Sequence, residues 1–68
     1  MLDAKVIGQR LAALRGSRTQ DEVAKAVGTS LSAISMYECG ERIPRDEIKL
    51  ALAKYFDTTV QAIFFEIE

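Results

Sequence analysis

Residues Thr19 to Pro44 read TQDEVAKAVGTSLSAISMYECGERIP, and this stretch decides the fold. Thr19 followed three residues on by Glu22 is a capping box, in which each side chain satisfies an amide at the start of a helix. Val23 and Val27, one turn apart, give that helix an apolar face, and Gly28 can stop it in a left-handed backbone. Ser30 caps a further helix that runs to about Cys39 and is closed by Gly40. Ile34 and Tyr37 share the inward face of that helix. Two helices joined by so short a turn cross closely and steeply, and Ala24 supplies the small side chain the crossing needs.

Outward from this pair the apolar residues keep helical spacing. Asp3 can cap a first helix with Val6, Ile7, Leu11 and Leu14 as its inner stripe and Gly16 at its end. Pro44 precedes a fourth helix in which Ile48, Ala51, Leu52, Tyr55 and Phe56 face inward. Thr59 caps a short fifth turn ending near Phe64. The fold class expected is all-α, a compact five-helix domain spanning 1–68, with the helix-turn-helix at 20–39. The tail alternates as Phe65-Glu66-Ile67-Glu68, which suits a short C-terminal strand.

Composition bounds the chemistry. With Cys39 as the single cysteine and no histidine, a disulfide within the chain is excluded and neither a metal site nor a cofactor is expected. No general base, nucleophile pair or metal cluster is present, so an enzyme is not expected. No apolar run approaches the ~20 residues of a membrane span. The N-terminus lacks the basic start and apolar stretch of a signal peptide. We therefore expect a soluble, cytoplasmic chain, complete from Met1, with no ligand or sensor domain attached. So short a chain buries little surface by itself, and with disulfides and metals set aside a partner chain is the remaining route to stability.

Net charge is −1, but its distribution is uneven. Seven basic and five acidic residues lie up to Arg45, against two basic and five acidic after it. The basic excess coincides with the two-helix stretch, and the acid collects toward the C-terminus.

The stretch resembles the lambda-repressor-like helix-turn-helix family of phage repressors, Cro proteins and xenobiotic-response-element regulators. The motifs that carry the likeness are the TQ-x-E-V-A opening, the G-x-S turn, the IS-x-YE segment and the G-x-R-x-P exit. It extends from about Ile7 to Phe64. The resemblance implies binding to double-stranded DNA, with the third helix in the major groove. Positions matching the family's base readers are Leu31, Ser32 and Met36, with Ser35 adjacent. Ile34 and Tyr37 already occupy the inward face, so Leu31 and Met36 are read as contacts to thymine methyl groups and not as core. Many relatives carry Lys, Arg or Gln here, and without them no strong reader of guanine or adenine is evident.

Gln20 matches a phosphate-contacting glutamine at the start of the second helix. Arg18, Arg42 and Arg45 flank the groove in the family and are either phosphate contacts or solvated surface charge. Arg45 also stands where a serine often caps the fourth helix. Arg15 and Glu38 match a partly buried ion pair, although the Gly16-Ser17-Arg18 loop is shorter than the commonest version. Cys39 is read as an idle reduced thiol. Ile63, Phe64, Phe65 and Ile67 hold more apolar surface than a domain of this size is expected to bury, which makes 57–68 the expected homodimerisation region. The function expected is a homodimeric repressor at an inverted-repeat operator, inferred in part from the lack of any activation domain. No membrane or small-molecule partner is expected. The rivals are an antitoxin, a restriction-modification controller, and an interaction module without DNA binding.

Overall fold

The computed structural model describes residues 3–65. Four α-helices and a terminal π-helical turn follow in order: α1 (Ala4–Arg15), α2 (Gln20–Val27), α3 (Leu31–Cys39), α4 (Asp46–Tyr55) and the turn Gln61–Phe65. No strand occurs among the described residues, and the domain is all-α. Ile67 and the alternating tail beyond Phe65, expected to pair as a strand, lie outside the described residues.

Local chemistry sets most boundaries. Asp3 Oδ1 accepts from the N–H groups of Lys5 and Val6 at 3.0 and 3.3 Å. Thr19 Oγ1 accepts from the Glu22 N–H at 3.0 Å while Glu22 Oε1 accepts from the Thr19 N–H at 3.4 Å, so the capping box closes in both directions. Ser30 Oγ accepts from the Ala33 N–H at 3.0 Å. Gly28 and Gly40 end α2 and α3 at φ 79° and 77°, a left-handed backbone that other residues adopt only under strain. Helix α4 is different. Its N-cap Arg45 makes no side-chain capping bond, and Asp46 and Glu47 instead place acid in the first turn, where the helix dipole favours it. Just past its C-terminus Asp57 takes φ 55°, a conformation that aspartate tolerates better than most residues.

The core draws on every element: Ile7 and Leu11 from α1, Val23, Ala24 and Val27 from α2, Ala33, Ile34 and Tyr37 from α3, Leu52 and Ala53 from α4, and Ile63 and Phe64 from the terminal turn. Leu14, Ile48, Ala51, Tyr55 and Phe56 pack at its margin. Ala24 is 1% exposed, as a close crossing of α2 and α3 requires. Helix α1 also approaches α3 closely. A Cβ at Gly8 would overlap the Glu38 carbonyl oxygen and stand 2.7 Å from that of Tyr37, so only glycine fits there. Arg15 lies two turns further along the same face of α1, which brings the Glu38 side chain within its reach.

One expectation is corrected here. Ile63 and Phe64 do not offer apolar surface to a second chain, because both turn into the protomer's own core and are 1% and 2% exposed. The terminal turn folds back onto α1, where Arg10 Nη1 donates to the carbonyl oxygens of Ile63 at 3.0 Å and Ala62 at 3.5 Å. Carbonyls at the end of a helical turn have no partner within it, and the guanidinium satisfies them. Of the four residues assigned to dimerisation, Phe65 is the one that faces outward among the described residues, 48% exposed.

Candidate nucleic-acid interface

The site is built on the outer face of α3. Ala33, Ile34 and Tyr37 anchor the helix in the core, which rotates Leu31, Ser32 and Met36 toward solvent and leaves Ser35 half-buried. Leu31 is 49% exposed and Met36 37%, so neither belongs to the core. The N-terminal half of α3 carries no charge, and its first acid is Glu38 near its end.

Glu38 is the hub that fixes α3 against the rest of the motif. Its Oε2 accepts from Arg15 Nε at 2.7 Å and its Oε1 from Arg15 Nη2 at 3.0 Å, a two-point pair of the kind that fixes geometry as well as charge. Hydrogen bonding to Glu38 and, after it, the carboxylate charge hold the Arg15 pKa above the ordinary guanidinium value, with desolvation opposing. Arg15 Nη1 donates to the Arg18 carbonyl oxygen at 2.8 Å, so the short Gly16-Ser17-Arg18 loop is tied to the same group. Glu38 Oε1 also accepts from Gln20 Nε2 at 3.1 Å. One carboxylate therefore joins the end of α1, the start of α2 and the end of α3. Gln20, expected at a phosphate, sits in the first turn of α2 with one amide hydrogen directed at Glu38.

The three arginines expected at phosphates fall in different settings. Arg18 is engaged within the fold: Nη1 donates to the carbonyl oxygens of Leu14 and Arg15 at 3.1 and 3.4 Å. Its guanidinium carbon also lies 5.5 and 5.7 Å from the ring centroids of Tyr55 and Phe56. It closes the C-terminus of α1 and stacks on the end of α4, an arrangement that favours a cation. Arg45 is exposed and stands 3.6 Å from Glu47, which shares its charge with the acidic first turn of α4. Arg42 is exposed in the loop after α3.

Gly8 and Arg10 carry structural roles that the sequence reading did not assign. A glycine inside the apolar stripe of α1 was the available signal for the first. No local signal existed for Arg10, whose partner Ile63 lies 53 residues along the chain. A void between Leu11, Val23, Ile34, Tyr37 and Leu52 measures about 10 Å³, too small for a small-molecule ligand. No cluster of three or more potential metal ligands occurs among the described residues, and no described helix is long and apolar enough to cross a membrane.

A helix-turn-helix family model matches residues 10–63. Among solved structures, the P22 c2 repressor bound to a synthetic operator is similar at 32% identity and TM-score 0.85, over 88% of this chain and 94% of that one. The restriction-modification controller protein C.AhdI of Aeromonas hydrophila is similar at 30% identity and TM-score 0.82, over 91% of this chain and 97% of that one. An SOS-response repressor, LexA, of Eubacterium rectale is similar at 25% identity and TM-score 0.85, over 97% of this chain and 77% of that one. No curated protein sequence matches the chain. Capped helices crossing at Ala24, an outward-facing α3 and these likenesses lead to one assignment: the chain belongs to the lambda-repressor-like helix-turn-helix family.

Proposed function

We propose that this DNA-binding transcriptional regulator acts as a homodimeric repressor at an inverted-repeat operator, inside the cytoplasm. The observation that carries the reading is the outer face of α3, where Leu31, Ser32 and Met36 stand clear of a core that holds the helix from behind. The P22 c2 repressor, similar over 88% of this chain, is bound to a synthetic operator in its structure and supports the same role here. One α3 would enter the major groove of each half-site, with half-sites about one helical turn apart. Leu31, Ser32, Ser35 and Met36 face the bases, while Gln20, Arg42 and Arg45 lie toward the phosphates. Such sites need two recognition helices at a fixed separation, which a two-fold dimer supplies. Phe65, 48% exposed after α4, is the described residue best placed for that seam.

The test is titration of duplex DNA at several salt concentrations. If each subunit neutralises about two phosphates, through Arg42 and Arg45, the log–log slope is about −3.6 for the dimer, since each phosphate contributes about −0.9. Affinity that stays flat with salt would remove the electrostatic part of the reading. A second reading, control of a restriction-modification system, is favoured by the 30% identity to C.AhdI across nearly the full length of both chains. A neighbouring co-transcribed restriction or methyltransferase gene would decide for it.

A further inference from the structure

The groups that α3 offers to the major groove are limited in kind. Its outward positions hold Leu31 and Met36, 49% and 37% exposed, with Ser32 and Ser35 between them. None of these carries a charge or an amide. The helix's one acid, Glu38, is occupied by Arg15 and Gln20.

Base pairs differ in the major groove by the order of donors and acceptors and by the 5-methyl group of thymine. A guanidinium only donates and selects guanine, and an amide pairs a donor with an acceptor and selects adenine. A serine hydroxyl rotates, so it donates to the thymine O4 or accepts from the cytosine N4 amino group with equal ease. Ser32 and Ser35 therefore give no fixed sign by which the two pyrimidines are told apart. The discriminating contact left to α3 is apolar burial of a 5-methyl group against Leu31 and Met36.

We infer that α3 reads the 5-methyl group of a pyrimidine rather than its hydrogen-bonding edge, and so accepts 5-methylcytosine wherever it accepts thymine. The inference rests on the reading that α3 enters the major groove. Its consequence is that methylating cytosine at a contacted position strengthens binding. A buried methyl contributes about fourfold in affinity, and two symmetric half-sites about fifteenfold together.

The experiment starts from the duplex that the 68-residue chain selects out of a random pool. That duplex is resynthesised with thymine, deoxyuridine, cytosine or 5-methylcytosine at each strongly selected pyrimidine, guanine standing opposite the last two. Deoxyuridine should bind about fourfold more weakly than thymine per position, and 5-methylcytosine about fourfold more tightly than cytosine. Leu31→Ala and Met36→Ala change exposed side chains, so their melting temperatures should hold while both ratios fall toward one. Equal affinity for thymine and deoxyuridine duplexes overturns the inference, as does equal affinity for cytosine and 5-methylcytosine. A selected pool with no constrained base pair also overturns it. In each of those cases DNA binding itself stands. Retention of no duplex at all removes the DNA-binding reading and the inference together.

Discussion

Two regions of this molecule each expose a pair of large apolar side chains: Leu31 and Met36 on α3, and Leu50 and Phe65 on α4 and the terminal turn. Exposure alone does not separate them, for Leu31 at 49% and Phe65 at 48% are all but equal. Their surroundings do. The α3 pair is interleaved with serines and followed by Arg42 and Arg45. The other pair lies on a segment that opens with Asp46 and Glu47 and holds five acidic residues against two basic ones. One of those two, Lys49, is mostly covered, with its Nζ 3.7 Å from Asp46 and 5.3 Å from the Phe65 ring centroid. The charge around the C-terminal pair thus opposes a polyanion more than the charge around α3 does. Exposed apolar side chains alone name no partner, and the charge around them separates the two regions.

The largest expected effect removes both regions at once. Ala24→Leu forces a larger side chain into the crossing of α2 and α3, at a cost of about 1–3 kcal/mol. In so small a domain that is much of the stability, so helical circular dichroism and DNA binding should be lost together. An unchanged melting temperature would mean that the helices do not depend on a close crossing there. Gly8→Ala should act similarly by pushing α1 off the Tyr37 and Glu38 carbonyls.

Next in size is the C-terminal pair alone. If the proposed homodimer forms through this region, Phe65→Ser removes one aromatic side chain from each half of its seam, and burying each contributes about 1.5–3 kcal/mol. Sedimentation equilibrium should then show a folded 7.5 kDa monomer, with a melting temperature lowered by the loss of the partner. Deleting residues 65–68 should do the same, whereas deleting from Phe64 should also damage the core. If Leu31→Ser split the dimer and Phe65→Ser did not, the two regions would have to exchange roles.

Smaller effects sharpen the α3 side. Gln20→Ala and Arg42→Ala should weaken binding to all duplexes alike, because phosphate contacts position without specifying, and Arg42→Ala, which removes a charge, should also reduce the salt slope by about one. Substituting Ser32 or Met36 should instead change which sequence is preferred. The reverse pattern would place a different helix in the groove.

Smallest is Arg18→Ala. It removes an exposed cation–π contact with Tyr55 and Phe56, about 0.5–1 kcal/mol, and the cap on α1. A slight fall in melting temperature with an unchanged salt slope is expected. A slope reduced by about one would return Arg18 to a phosphate.

The α2–turn–α3 unit was legible from the residues because each of its signals acts over one turn of chain. Thr19 and Glu22 cap each other, Ser30 caps the Ala33 amide, and Gly28 and Gly40 supply left-handed stops. Leu31 and Met36 fell outside the core because helical spacing had already filled the inward face with Ile34 and Tyr37. The sequence by itself thus determined the helices, their inward stripes and the uncharged outer face of α3. Tertiary structure alone decided the rest. Whether Ile63 and Phe64 turn inward depends on Arg10 reaching their turn from the far end of the chain. Whether Arg18 faces solvent or the fold depends on Tyr55 and Phe56 arriving beside it. The need for glycine at position 8 exists only once the carbonyls of α3 lie against it. Caps and periodicity are written within a few residues, whereas a long side chain or a gap left for a backbone acquires its partner only when distant segments close on one another.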